Sequence, residues 1–149
     1  MLLTSCDDFL DVRPDSQEVE SDLFSTPQGF EDAIYGVYGS MQVSSLYGKE
    51  MTWGLTDIMA QDLDQNIPSS RALARYQYKS DDELTTRFDA VWKAAYTSIG
   101  YANNVLKNLE GHNSTTLPLF NLYKGEMLAV RAMLHFDLLR FFCPTDETK

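Results

Sequence analysis

Apolar side chains recur every three or four residues along much of the chain, which is the spacing of an amphipathic α-helix. A first helix is predicted to start at Thr26, an N-cap residue followed by Pro27 at the first helical position. Its apolar stripe consists of Phe30, Ile34, Val37, Tyr38 and Met41. Gly36 and Gly39 lower the helix propensity of this segment, and we expect them to allow close approach of a neighbouring helix.

Two further segments carry the same period. The second pattern has one apolar side made of Met51, Leu55, Ile58, Met59 and Leu63. The third starts at about Thr86 and carries Phe88, Val91, Trp92, Ala95, Tyr96, Ile99, Ala102, Val105, Leu106 and Leu109. Gly111 follows it at the C′ position, where a left-handed glycine often ends a helix. Because Trp53 and Trp92 lie on these apolar stripes, both are predicted to be core residues.

The fourth helical segment, residues 122–144, is apolar on nearly every side and yet carries five charged residues and a histidine. One side of the helical wheel holds three basic residues within roughly 20°, namely Lys124, Arg131 and His135. The opposite side holds Glu126, Asp137 and Arg140. A helix that is apolar most of the way round must be covered on more than one side, as it is in stacked helix hairpins.

Charges inside such a helix must be paired or reach water. Asp137 and Arg140 stand three residues apart and can pair. Arg131 and His135 are four residues apart and would repel each other if both were charged. We therefore expect His135 to be neutral or to face a carboxylate from another element. Our interpretation is a structural polar network made of Glu126, Arg131, His135, Asp137 and Arg140.

Catalysis is the alternative explanation of these charges, and the spacing argues against it. The face of His135 carries no second His, Cys or carboxylate at metal-ligand spacing, and no nucleophile motif supports a Ser/His/Asp triad. Glu126 and Asp137 are three turns apart, too far to flank one glycosidic bond. We therefore interpret these residues as scaffold and predict no catalytic residue, no metal site and no cofactor.

The helical period breaks between Asp62 and Asp82, which predicts a long loop. Its segment "ARYQY" is the one short β-like stretch, so the predicted fold class is all-α with about four main helices. The loop holds two arginines and two tyrosines, and loops of this length are usually functional or disordered. The candidate ligand-binding residues are Asp64, Asn66, Arg71, Arg75, Tyr76 and Tyr78. An ordinary solvated connection is the alternative.

Composition narrows the class of partner. The 149 residues suffice for one domain with a core. The net charge of -10 argues against nucleic acid and against electrostatic attachment to an anionic membrane. No apolar run approaches the length of a transmembrane helix. Two cysteines, Cys6 and Cys143, do not indicate a disulfide framework.

The segment "LTSC" before Asp7 resembles the bacterial lipobox, whose cysteine receives a diacylglyceryl anchor. Cys6 is therefore predicted to be a lipidation site. The acyl chains of such an anchor contribute about 0.8 kcal/mol to membrane binding per buried CH₂. A signal peptide also needs a basic and an apolar region, but only three residues precede the motif. Either the true start lies upstream or the protein stays inside, and a chance cysteine is the alternative. Residues 1–23 are interpreted as a lipobox remnant with an acidic arm, and residues 24–149 as the helical domain.

Five segments together resemble the SusD/RagB family, in order and over nearly the whole chain. They are "SCDDFLDVRP", "TPQGFEDAIYGVYGSM", "LYGKEMTWGLTDIMAQD", "VWKAAYTSIGYANNVLKNLEG" and "GEMLAVRAMLHFDLLRFFCP". The resemblance implies an all-helical fold of tetratricopeptide-like hairpins with an irregular ligand-binding region. It implies a lipid-anchored, surface-exposed protein of the Bacteroidota outer membrane that is not an enzyme. Such a protein binds glycans or other nutrients for a TonB-dependent transporter of the SusC type.

The resemblance also carries two departures. Cys143 stands where the family has glycine after "RFF", so a residue that disfavours the left-handed conformation would have to end the helix. Family members are several times longer, which predicts that this chain is a truncated N-terminal portion whose last helices expose apolar surface. A helical-repeat scaffold that binds only proteins, or a nonfunctional fragment, are the alternative readings of the function.

Overall fold

The computed structural model describes residues 20–62, 68–78 and 82–143. Within these ranges the chain forms six α-helices and a π-helical turn and contains no strand, so the all-α prediction is confirmed. The helices are α1 (Glu20–Leu23), α2 (Pro27–Met41), α3 (Leu55–Met59), α4 (Pro68–Ala74), α5 (Asp82–Leu109) and α6 (Phe120–Phe142). The π-helical turn, Glu50–Gly54, leads directly into α3.

Helix α2 begins as its sequence predicts. The backbone of Thr26 is extended, with φ -128° and ψ 152°, and its Oγ1 accepts a hydrogen bond from the N–H of Gly29 at 3.1 Å. Pro27 fills the first helical position, where a missing N–H costs nothing. The predicted stripe of α2 faces inward, since Phe30, Ile34, Val37 and Met41 are buried and Tyr38 is partly buried.

Helix α5 lies at the centre of the fold and contacts α2, α4, α6 and the π-helical turn. It runs antiparallel to α6, because Phe88 near its start meets Phe142 and Asn103 near its end meets Arg131. The core side of α6 consists of Tyr123, Met127, Val130, Leu134 and Leu138. Full burial of such side chains stabilises the folded state by about 1.5–3 kcal/mol each, so this side of α6 contributes strongly to the core.

The other side of α6 is exposed within the part of the chain that the structure describes. More than a third of each of Leu122, Leu128, Met133, Phe136 and Leu139 is exposed. The prediction that the last helices expose apolar surface is therefore confirmed. The prediction that other elements cover α6 on more than one side is not met by the described residues. None of the described helices is long and apolar enough to cross a membrane.

Two expectations, which concern four residues, are wrong. Trp53 and Trp92 are 58% and 46% exposed. Trp53 lies on the π-helical turn, whose wider register rotates it off the apolar stripe, and Trp92 lies at the outer edge of the α5–α6 seam. Gly36 and Gly39 do not permit close helix approach, because a Cβ added at either would meet no atom within 4 Å.

The ends of α5 and α6 also differ from expectation. No glycine among the described residues has a positive φ, so Gly111 does not cap α5 in the left-handed conformation. Cys143 is extended, with φ -88° and ψ 141°. The reason is in the sequence: a proline follows at position 144 and disfavours helical backbone in the residue before it.

The predicted loop contains helix α4. The helix is held in place by Leu73 and Ala74, which are buried in the core. The β-like segment "ARYQY" provides the last residue of α4 and the turn that follows it rather than a strand.

Candidate functional site

Helix α4 and the turn after it carry four of the six predicted ligand-binding residues. Arg71 lies on α4, and Arg75, Tyr76 and Tyr78 lie on the turn, all with exposed side chains. The turn is tied to the body of the protein by Gln61, whose Nε2 donates a hydrogen bond to the carbonyl of Ala74 at 3.2 Å. The site thus combines anchored backbone with exposed rings and guanidinium groups.

Tyr76 adopts a backbone conformation that bulky residues rarely take. Its φ is 57°, in the left-handed region, which costs about 1–2 kcal/mol for an L-residue. The phenol ring is also held in place, because its hydroxyl donates a hydrogen bond to the carbonyl of Met59 at 3.3 Å. Strained residues persist where the surroundings enforce them and are concentrated at functional sites. Here the left-handed backbone ends helix α4, because the N–H of Gln77 reaches back across Tyr76 to the carbonyl of Ala72 at 2.9 Å, and it fixes the direction in which the Tyr76 ring leaves the turn.

A continuous series of rings leads from this turn onto α5 and α6. Ring centroids are 6.2 Å apart for Tyr76 and Tyr78, and 5.6 Å apart for Tyr78 and Phe88. The centroids of Phe88 and Phe142 are 6.2 Å apart, those of Phe142 and Trp92 are 5.1 Å apart, and those of Trp92 and Tyr96 are 4.9 Å apart. These separations are typical of favourable aromatic pairs. We call this set the aromatic row: Tyr76, Tyr78, Phe88, Phe142, Trp92 and Tyr96.

The aromatic row offers apolar rings to solvent. Tyr76, Tyr78, Trp92 and Tyr96 are between 42% and 57% exposed. Trp92 and Tyr96 are absent from the ligand-binding residues predicted above. The spacing of Phe88, Trp92 and Tyr96 at i, i+4 and i+8 is the signal that assigns them to one helical face. Asp64, Asn66 and Cys6 lie outside the described residues, and their roles stay predictions.

A buried ion pair lies next to the aromatic row and joins two elements of the fold. Nη2 of Arg87 lies 2.6 Å from Oε2 of Glu50, and Glu50 is 6% exposed. The pair joins the π-helical turn to α5 one residue before Phe88.

Burial raises the pKa of Tyr78, with a smaller contribution from Tyr76, so the phenol stays neutral around pH 7.

The carboxylates of α6 bind tyrosines of other elements. The hydroxyl of Tyr38 on α2 donates to Oε1 of Glu126 at 2.6 Å, and that of Tyr47 donates to Oδ2 of Asp137 at 2.6 Å. Nη1 of Arg140 approaches Oδ1 of Asp137 at 3.9 Å. These bonds fasten one side of α6 to α2 and to the turn that follows α2.

The remaining two residues of the predicted polar network lie on the other side of α6. Nη1 of Arg131 donates to Oδ1 of Asn103 on α5 at 3.0 Å. His135 meets the ring of Tyr96 nearly edge to face, with centroids 6.0 Å apart. The five residues are therefore divided between two sides of the helix, and the network as one connected unit stays a prediction.

Alkaline pH is expected to weaken the Tyr38–Glu126 bond. Burial, and then the hydrogen bond and charge of Glu126, raise the pKa of Tyr38 from 10.0 to about 12. Because the unfolded chain ionises this phenol at the lower pH, its stabilising contribution is complete below pH 10 and is lost as pH rises toward 12. We expect the melting temperature to fall across this window by less in Tyr38→Phe than in the unmodified chain, as measured by circular dichroism. The exposed Tyr35→Phe control should follow the unmodified chain, and an equal fall in Tyr38→Phe would contradict the assignment.

Within the described ranges, no three His, Cys, Asp or Glu side chains converge in a way that could hold a metal ion.

Known proteins resemble this chain in sequence. A family model described as "Starch-binding associating with outer membrane" matches residues 8–149. A curated relative, "SusD-like protein P2" of Formosa agariphila, is 28% identical over 146 residues, which are 95% of this chain and 28% of the relative. The chain thus spans about 28% of the length of that relative. No solved structure matches the chain. Because the family model covers almost all of the sequence, the chain belongs to the SusD-like family.

Proposed function

We propose that this chain is the N-terminal part of a cell-surface protein that binds glycans or oligosaccharides for uptake through a TonB-dependent transporter of the SusC type. The family description, starch-binding and associating with the outer membrane, supports this class of ligand and this location. The proposal assigns binding and no catalysis to the chain.

The observation that carries the proposal is the exposed pair Tyr76 and Tyr78 beside Arg71 and Arg75. A pyranose has an apolar face and a rim of hydroxyl groups, so it needs a ring to stack on and donors around the ring. The turn after α4 presents both in one place, and the left-handed backbone of Tyr76 holds one of the rings there.

Attachment to the membrane is proposed to occur through a lipid on Cys6. The supporting observations are the "LTSC" motif and the outer-membrane association of the family. Cells that express the precursor should incorporate a clickable palmitate into the protein, and Cys6→Ala should abolish the label. Labelling that persists in Cys6→Ala would refute the anchor.

A protein-interaction scaffold without a small ligand is the second candidate. The exposed apolar side of α6 favours it, because contiguous apolar surface marks protein interfaces. The two candidates make opposite predictions for the turn after α4, which a scaffold of this kind does not use.

Loss of the two exposed tyrosines is expected to abolish most of the glycan retention. Stacking on one ring is worth about 0.5–1.5 kcal/mol beyond area burial, so Tyr76→Ala with Tyr78→Ala should weaken binding about tenfold or more. Retention in native gels that contain soluble starch measures this effect, and Arg71→Ala tests the hydrogen-bonding rim.

Tyr35→Ala is the matched control, because Tyr35 is an exposed tyrosine on α2 outside the aromatic row. It should leave retention unchanged. Equal retention in the unmodified chain and the double variant would favour the scaffold.

A further inference from the structure

A row of cationic and polar side chains continues from the end of the aromatic row along the seam between α5 and α6. Beyond Tyr96 the seam carries His135, then Asn103 bonded to Arg131, and then Lys124 near the start of α6. The three basic residues are the stripe that the helical wheel places on one side of α6. None of the polar contacts described above gives them a role in ligand binding.

The seam opens into a cavity of about 490 Å³ where Arg131 and Lys124 line one wall. The facing wall belongs to the end of α5 and the turn after it and includes Glu110 and His112. Nζ of Lys124 lies 5.6 Å from the ring centroid of Phe120, so the ammonium group rests against an aromatic face and remains exposed. A space of this size is within the range of small-ligand sites.

Arg131 is suited to an oxyanion. Its bond to Asn103 uses one amino group of a guanidinium that carries five N–H donors in a planar fork. The fork matches the two oxygens of a carboxylate, and Asn103 holds the guanidinium in position for such a contact. Lys124 adds a point charge at the same cavity.

The sign of the charge is informative because the whole chain carries a net charge of -10. Most of the protein surface therefore repels an acidic polymer. The cavity combines the two cations with a single carboxylate, that of Glu110, so its lining opposes the charge of the chain as a whole. Charge complementarity selects an anionic ligand for this place.

We propose that this seam is an acidic-sugar subsite, in which Arg131 binds the carboxylate of a uronic acid and Lys124 adds a second positive charge at the same cavity, while neighbouring sugar units lie along Tyr96 and the aromatic row. The inference rests on the proposed function, since it extends the glycan site from the turn after α4. It goes further by assigning a ligand class, an acidic glycan, and the residues that select it.

The test compares polygalacturonate with soluble starch, two α-1,4-linked polymers with and without carboxylates, by retention in native gels. The unmodified chain is expected to be retained about tenfold more strongly by polygalacturonate. The double variant Lys124→Gln with Arg131→Gln should lose this preference and keep its retention by starch, and added NaCl should weaken the preference in the unmodified chain.

Lys93→Gln is the matched control, since it removes one positive charge from the groove between α2 and α5, away from the seam. It should retain the preference. Circular dichroism will show whether the double variant is folded. The charge-preserving Arg131→Lys should keep part of the preference.

The other outcomes distinguish failure of the acidic subsite from failure of the proposed function. Equal retention of the unmodified chain by both polymers, or a preference that survives in the double variant, overturns the acidic subsite and leaves the proposed function standing. Retention by dextran sulfate without retention by polygalacturonate overturns the assignment to a carboxylate. Retention by none of these polymers overturns the proposed function, and the subsite with it.

Discussion

Replacement of Phe30 by alanine is expected to lower the free energy of unfolding by about 3–5 kcal/mol. Phe30 is 1% exposed and lies where the start of α2, the turn after α5 and the start of α6 meet. Its ring centroid lies 5.0 Å from that of Phe24, 5.2 Å from that of His112 and 6.4 Å from that of Tyr123. Truncation removes the ring from all three contacts and leaves a cavity between rigid helices.

Urea unfolding followed by circular dichroism measures this loss. Tyr35→Ala is the control on the same helix, because Tyr35 is 68% exposed and its truncation should change stability by less than about 0.5 kcal/mol. A loss below about 1 kcal/mol in Phe30→Ala would show that the neighbouring rings close the gap or that Phe30 is not at the junction.

Replacement of Arg87 by methionine is expected to cost about 3–5 kcal/mol, because it leaves the carboxylate of Glu50 buried without its guanidinium. The Glu50 oxygen closest to Arg87 lies 2.6 Å from Nη2, and Nζ of Lys49 is 3.4 Å from the other oxygen. Lys49 is more exposed to water than Arg87, but it still offsets part of the Glu50 charge once Arg87 is replaced. We therefore place the expected loss toward the lower end of the range, about 3 kcal/mol.

The double variant Glu50→Met with Arg87→Met separates the cost of a lone charge from the worth of the pair. Without either charge the site can pack as an apolar contact, and such replacements are often neutral or stabilising. Chemical denaturation of the single and double variants gives the coupling energy directly. If the double variant were as unstable as Arg87→Met, lost side-chain packing would explain the effect in place of the buried charge.

This ion pair also bears on the ligand site. It fastens the π-helical turn to α5, and the next segment, α3, carries the carbonyl of Met59 that receives the hydroxyl of Tyr76. Arg87 itself precedes Phe88 of the aromatic row. The rings of the proposed glycan site are thus positioned by contacts that differ from those that would hold the ligand.

Local chemistry in the chain was sufficient to predict most of the secondary structure. Thr26 and Pro27 define the start of α2 through a side-chain acceptor and a fixed φ, and both act within three residues. The inward stripes of α2 and α5 follow from a period of 3.6 residues, which requires no knowledge of the partner helix. The SusD-like family was also recognisable from motifs, because its residues recur in order along these helices.

The candidate site was predicted less completely, for a reason of distance along the chain. Arg71, Arg75, Tyr76 and Tyr78 were predicted from the residue types of one segment, whereas the exposure of Trp92 depends on where α6 lies. A helical stripe gives the direction in which a side chain points and leaves open whether a neighbouring element covers it.

Tertiary structure decided the contacts between residues that are far apart in sequence. Glu50 and Arg87 are 37 positions apart, and Tyr38 and Glu126 are 88 apart. No periodicity pairs such residues, because their approach depends on how α2, α5 and α6 pack together. The chain's own order of side chains accounts for its helices and its family, and the packing of those helices accounts for the buried ion pair, the aromatic row and the cationic seam beside it.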